Sequence, residues 1–140
     1  MLLAKSAMNE LRTHLAFSQI RFHCKKKRTF HVNTAKNGAG EAAVQYFSGQ
    51  TDVMPASCGS YVRMHDDNSL LAGTCSRWGW DGAYNVGKWG HRRDQNRMYN
   101  HPAFVVGSYH WLTEPGGSRW ECDDYNVGVT SGDFWKIFVR

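Results

Sequence analysis

From Ile20 onward the chain is cut at close intervals by turn-forming clusters. They are Asn37-Gly38-Ala39-Gly40, Ser48-Gly49, 55–59, Asp66-Asp67-Asn68-Ser69, Asp81-Gly82, Asn100-His101-Pro102, Pro115-Gly116-Gly117 and Ser131-Gly132-Asp133. Such punctuation leaves room only for short extended runs, and the residues between the clusters are rich in aromatic and β-branched side chains. Strands are predicted at 29–33 and 43–47, joined by the 37–40 turn, and at 60–64, 104–106, 109–112 and 119–123. The clearest is 134–140, where Trp135, Ile137 and Val139 alternate with Lys136 and Arg140, so the first three should face a core. The expected fold is all-β: one antiparallel β-sandwich or jelly-roll-like domain over 20–140.

Residues 1–19 carry a different period. Ala4, Met8, Leu11 and Leu15 share one helical stripe, which predicts a short helical or disordered extension packing weakly on the domain. Met1-Leu2-Leu3-Ala4 opens like a signal peptide, but Lys5, Glu10, Arg12 and His14 interrupt the apolar run it would need. The expectation is a piece of a longer secreted protein. No stretch approaches the length of a membrane span.

The net charge of +5 is an average over two unlike parts. Residues 1–36 hold eight Lys/Arg against Glu10 alone, while 37–140 hold nine basic and eleven acidic residues. A near-neutral body disfavours a nucleic-acid partner. The run Lys25-Lys26-Lys27-Arg28 reads as a solvated turn between strands.

Cys24, Cys58, Cys75 and Cys122 form an even set without a C-x-x-C pair, which argues against zinc ribbons and thioredoxin-like sites and for two disulfides. Of the three connectivities, Cys58 with Cys75 and Cys24 with Cys122 is preferred. The first closes a short loop and the second ties the first strand to a late one.

A set of phrases carries a resemblance: Cys58-Gly59-Ser60-Tyr61-Val62-Arg63-Met64, Arg97-Met98-Tyr99-Asn100-His101-Pro102, Tyr109-His110-Trp111, Arg119-Trp120-Glu121-Cys122-Asp123-Asp124-Tyr125 and the closing run 132–140. Together they resemble a module of secreted, multidomain proteins of marine invertebrates. The resemblance spans about 20–140, implies an extracellular setting and transfers no catalytic residue.

All six tryptophans fall in 78–135, and Trp78, Trp80, Tyr84 and Trp89 are interleaved with Gly79, Gly82, Gly87 and Gly90. Rings on glycine-rich loops offer flat apolar faces to a sugar, so Trp80, Trp89 and Tyr84 are candidate platforms, with Arg119, Asp123 and Asp124 as hydroxyl partners. At least half of the tryptophans should instead be core. Asp66, Asp67, Asn68, Asp123 and Asp124 are candidate calcium ligands, although paired acids in loops equally form Asx turns and the EF-hand spacing is absent. His91, His101 and His110 lie near Asp94, Asn96 and Arg97, a set suited to phosphodiester cleavage if it converged. The expected function is a non-enzymatic extracellular recognition and adhesion module, lectin-like, with carbohydrate as ligand and calcium as the candidate cofactor. The alternatives are a structural matrix module with protein partners and a secreted His/Asp-dependent hydrolase or ribonuclease.

Overall fold

A computed structural model describes residues 4–93, 96–114 and 119–140. Met1-Leu2-Leu3, Asp94 and the turn at 115–117 lie outside the described residues. The fold is mixed α/β, with two separate open antiparallel sheets. Helix α1 (Lys5–Leu15) is followed by β1 (Ile20–Lys25), β2 (Thr29–Thr34), helix α2 (Gly38–Phe47) and β3 (Tyr61–Arg63). Strands β4 (Phe104–Val105), β5 (Tyr109–Thr113), β6 (Trp120–Asp124) and β7 (Phe134–Val139) complete it. One sheet has the order β3-β2-β1-β7 and the other β4-β5-β6.

The all-β sandwich is therefore corrected, and α2 shows why. The run 43–47 is apolar enough to read as a strand, a length at which periodicity alone does not separate strand from helix. Asn37 acts as the N-cap, its side chain accepting from Gly40 N at 2.8 Å. What read as a hairpin turn is a helix start. Gly40, Ala43, Val44 and Phe47 then fall on one buried face. Gly40 is required there, because a Cβ would meet Ala35 O at 1.9 Å.

The core is aromatic. Phe22 of β1 and Phe47 of α2 pack at 5.0 Å, and Trp89 lies 4.9 Å from Trp78. Tyr61 stacks on Trp78, and Trp111 closes the cluster against Phe22 and Phe30. Two of these buried indoles find partners: Trp78 Nε1 donates to Leu71 O and Trp89 Nε1 to Ser60 Oγ, while Trp111 Nε1 has none among the described residues. In β7, Trp135, Ile137 and Val139 do face this core but are only half-buried, whereas Lys136, Phe138 and Arg140 are exposed.

Helix α1 is not a loose extension. Met8 is fully buried, Phe17 nearly so, and Leu11 packs on the core. Arg12 pairs with Glu41 of α2 at 2.8 Å and Lys5 with Asp52 at 2.7 Å. Disulfides join Cys24 of β1 to Cys122 of β6, linking the two sheets, and Cys58 to Cys75. Among the described residues no helix is long and apolar enough to cross a membrane.

Candidate active site

Strands β5 and β6 pair out of regular step. His110 faces Asp124 and Trp111 faces Cys122, so Asp123 is an extra residue in β6. Such a bulge redirects neighbouring side chains. Asp123 takes φ +55°, a left-handed conformation that Asp tolerates better than most residues. Its carboxylate is fully buried and accepts from Leu70 N, Leu71 N and Arg28 Nη1. Trp111 turns into the core, and His110 lies on the floor of a depression of about 360 Å³.

Glu121 of β6 lies buried behind that floor, in contact with His110 and Arg119. Its two oxygens accept from Arg119 Nε at 3.0 Å, Arg119 Nη2 at 3.1 Å and Asn126 N at 2.7 Å. His110 Nδ1 lies 2.9 Å from Glu121 Oε2, closer than its 3.3 Å contact with Arg119 Nη2. Nδ1 therefore carries the proton directed at the carboxylate. His110 Nε2 is buried and has no hydrogen-bond partner among the described residues. Burial alone would raise the Glu121 pKa, but the bonds from His110 and Arg119 outweigh it and hold the group at about 2. The same bond to Glu121 raises Arg119 above its ordinary value.

His101 lies on the same depression, its ring 5.6 Å from that of His110 and 6.0 Å from that of His91. Burial, then the nearby His110, His91 and Arg119, pull its pKa down to about 3. Its imidazole is neutral at physiological pH. Phe104, Trp80 and Tyr125 supply apolar walls, and Arg119 lies over the Tyr125 ring at 5.2 Å.

Of the candidate ligand residues, the fold brings Trp80 and Arg119 together here. Trp89 is fully buried and cannot serve as a platform. The glycines beside Trp89 and Trp78 serve close packing: a Cβ at Gly90 would meet Tyr46 Oη at 2.5 Å and one at Gly79 would meet Lys88 O at 2.3 Å. Tyr84 is exposed on a turn whose amides are bonded to Asp81. Asp124 pairs with Lys26 at 2.9 Å beneath the surface. Asp67, whose carboxylate is withdrawn from solvent, accepts from His31 N, Arg63 and Ser69, and Asn68 accepts from Thr29 N. These oxygens are engaged in holding loops, as Asx turns do. The composite platform with two acidic loops is not assembled, and the lectin-like, carbohydrate-binding and adhesive reading is corrected with it.

A second cluster joins Asp66, a candidate metal ligand from the sequence, to two histidines that the sequence did not single out. His23 and His31 are cross-strand partners in β1 and β2, with rings stacked 3.7 Å apart and 6° from parallel. His31 Nδ1 lies 2.7 Å from Asp66 Oδ1, and His23 Nε2 lies 3.9 Å from Asp66 Oδ2. Glu121 was missed as well. It stands between Trp120 and Cys122 in a strand whose bulge no local pattern announces.

No known family model, curated protein or solved structure matches this chain.

Proposed function

We propose that the chain is a His/Glu-dependent acid–base ribonuclease, working in an extracellular setting. The observation that carries this reading is the Glu121–His110 pair, with Arg119 alongside and the neutral His101 about one substrate group away. Acid–base cleavage needs two titratable groups held in different protonation states across one reacting bond. His101 is the base. The depression of its pKa comes from burial and surrounding cations, so a bound phosphodiester anion offsets part of it and brings the group toward its working range. His110, whose Nδ1 faces the Glu121 carboxylate at 2.9 Å, is the acid. Arg119 supplies positive charge for the phosphoryl oxygens.

Among the described residues lining the depression there is no Ser, Thr or Cys to act as a protein nucleophile. A substrate that brings its own nucleophile suits such a site, and RNA does so with its 2′-hydroxyl. The 2′ oxygen gives its proton to His101 as it bonds to phosphorus. The bond from phosphorus to the 5′ oxygen breaks, and that oxygen takes a proton from His110, leaving a 2′,3′-cyclic phosphate and a free 5′-hydroxyl. Trp80 and Tyr125 offer faces on which bases stack. Asp123 and Asp124 pair with Arg28 and Lys26 from the basic N-terminal part, so the folded body is less acidic than 37–140 alone. Two disulfides fit an oxidising compartment.

The test is release of cyclic phosphate from RNA homopolymers by the oxidised protein, compared with DNA of the same sequence. His101→Ala and His110→Ala should each lower the rate by about 10²–10⁴-fold. Absence of RNA cleavage, or equal cleavage by both variants, would sink the reading.

A further inference from the structure

We propose that His23, His31 and Asp66 form a binding site for a zinc-like divalent transition-metal ion on the outer face of the four-stranded sheet. The cluster is separate from the histidine-lined depression and shares no residue with it.

The placement begins with strand register. His23 and His31 are directly opposite in an antiparallel pair, so both imidazoles rise from one face on adjacent rigid strands. Ile20, Phe22 and Cys24 of β1 alternate with them into the core. Asp66 comes from the loop after β3, and that loop is fastened on both sides, before Asp66 by Met64 N donating to His31 O at 2.9 Å. Asp67, next in sequence, accepts from His31 N at 2.6 Å and from Arg63, while Asn68 Oδ1 accepts from Thr29 N at 2.7 Å. Two of the three donors thus sit on strands and the third on a loop hydrogen-bonded to one of them. Sites on such supports are better preorganised than sites on free loops.

The three donor atoms lie within 4.8 Å of one another. Donors about 2.0–2.2 Å from a common tetrahedral ion lie roughly 3.3–3.6 Å apart, so the widest pair has to close by about 1.3 Å on binding. Two imidazoles and one carboxylate suit zinc and its neighbours; calcium and magnesium prefer oxygen donors. Asp66 stands at the surface, which leaves a further coordination position open to water.

One feature must change on binding. Parallel stacked rings keep their lone pairs in separate planes, and two such lone pairs cannot meet at one ion. His23, the more exposed of the two rings, has to turn about its outer torsion, which for histidine is broad. Opening of the stack is therefore the structural signature of the bound form.

The experiment is calorimetric titration of the oxidised full chain with Zn2+, with Ca2+ and Mg2+ as controls, alongside NMR of the His23 and His31 ring protons. One Zn2+ should bind per chain, and both rings should lose the mutual shielding of the stack. Asp66 is exposed and His23 partly so, and His23→Gln and Asp66→Asn should leave the fold intact, checked by the melting curve. Each should weaken Zn2+ binding at least about tenfold. His101→Gln, in the depression, should not change it. Absence of stoichiometric binding, binding that survives both variants, binding lost in His101→Gln, or equal binding of Ca2+ would overturn the proposal.

Discussion

Glu121 Oε2 and His110 Nδ1 lie 2.9 Å apart, with both side chains withdrawn from solvent. The carboxylate is also bonded to Arg119 and Asn126, so it cannot turn away, and it fixes which nitrogen of His110 holds the proton. Glu121→Gln keeps the shape and removes the charge. On the ribonuclease reading, kcat should fall by about 10²-fold or more while the melting curve shows a folded protein. An unchanged kcat would show that the carboxylate has no part in turnover.

Acid should destabilise the protein in two stages. His101 binds its proton near pH 6.5 when unfolded but only near 3 when folded, so stability present above pH 6.5 is lost as pH falls through that window. The lowered His23 acts in the same direction. Glu121 titrates near 4.5 unfolded and about 2 folded, adding a further loss below pH 4.5. Denaturant melts between pH 7 and 3 should show a slope of about 1.4 kcal/mol per pH unit for each such proton, steepening below 4.5. A flat profile from pH 6.5 to 4.5 would contradict the buried neutral His101.

Met8 anchors α1 in the core, so Met8→Ala should cost about 2–5 kcal/mol. Removing residues 1–19 also takes away Phe17 and the pairing of Ser18 N and Gln19 N with Arg140 O at the end of β7. A melting temperature lowered by about 10 °C or more is expected for the truncation. An unchanged value would show the helix to be an appendage after all.

Asp123 combines an unfavourable backbone angle with a carboxylate that satisfies three donors. Asp123→Gly relieves the first and removes the second. The protein should still lose stability, by about 3 kcal/mol or more, because Leu70 N, Leu71 N and Arg28 are left without their acceptor. A stabilised Asp123→Gly protein would mean that strain dominates at the bulge.

The two disulfides should contribute unequally. Cys24–Cys122 closes 98 residues and Cys58–Cys75 closes 17. Chain entropy then assigns roughly 4–5 kcal/mol to the first and about 3 to the second. Paired Cys→Ser variants compared by denaturant midpoint test the order. A larger loss at Cys58–Cys75 would reverse it.

Local pattern by itself determined the strands whose period is plain. The alternation in 134–140 showed which residues of β7 face the core, and the turn clusters bounded β2, β3, β5 and β6 closely. It did not determine 37–47, where an Asn-Gly start and a five-residue apolar run are compatible with a hairpin or a capped helix. Packing against the sheet selected the helix, through the close approach of Gly40 to Ala35. Nor could composition separate core tryptophans from exposed ones: the glycines beside Trp78 and Trp89 let rings pack on backbone rather than lift them into solvent. The candidate sites were decided by tertiary structure alone. His101, His110, Arg119 and Glu121 meet through a one-residue bulge at Asp123, and His23, His31 and Asp66 meet through strand register and a fastened loop. Residue types are written in the chain, but convergence depends on which strands pair and where a register slips. Those are non-local choices, made by the burial of one face against another.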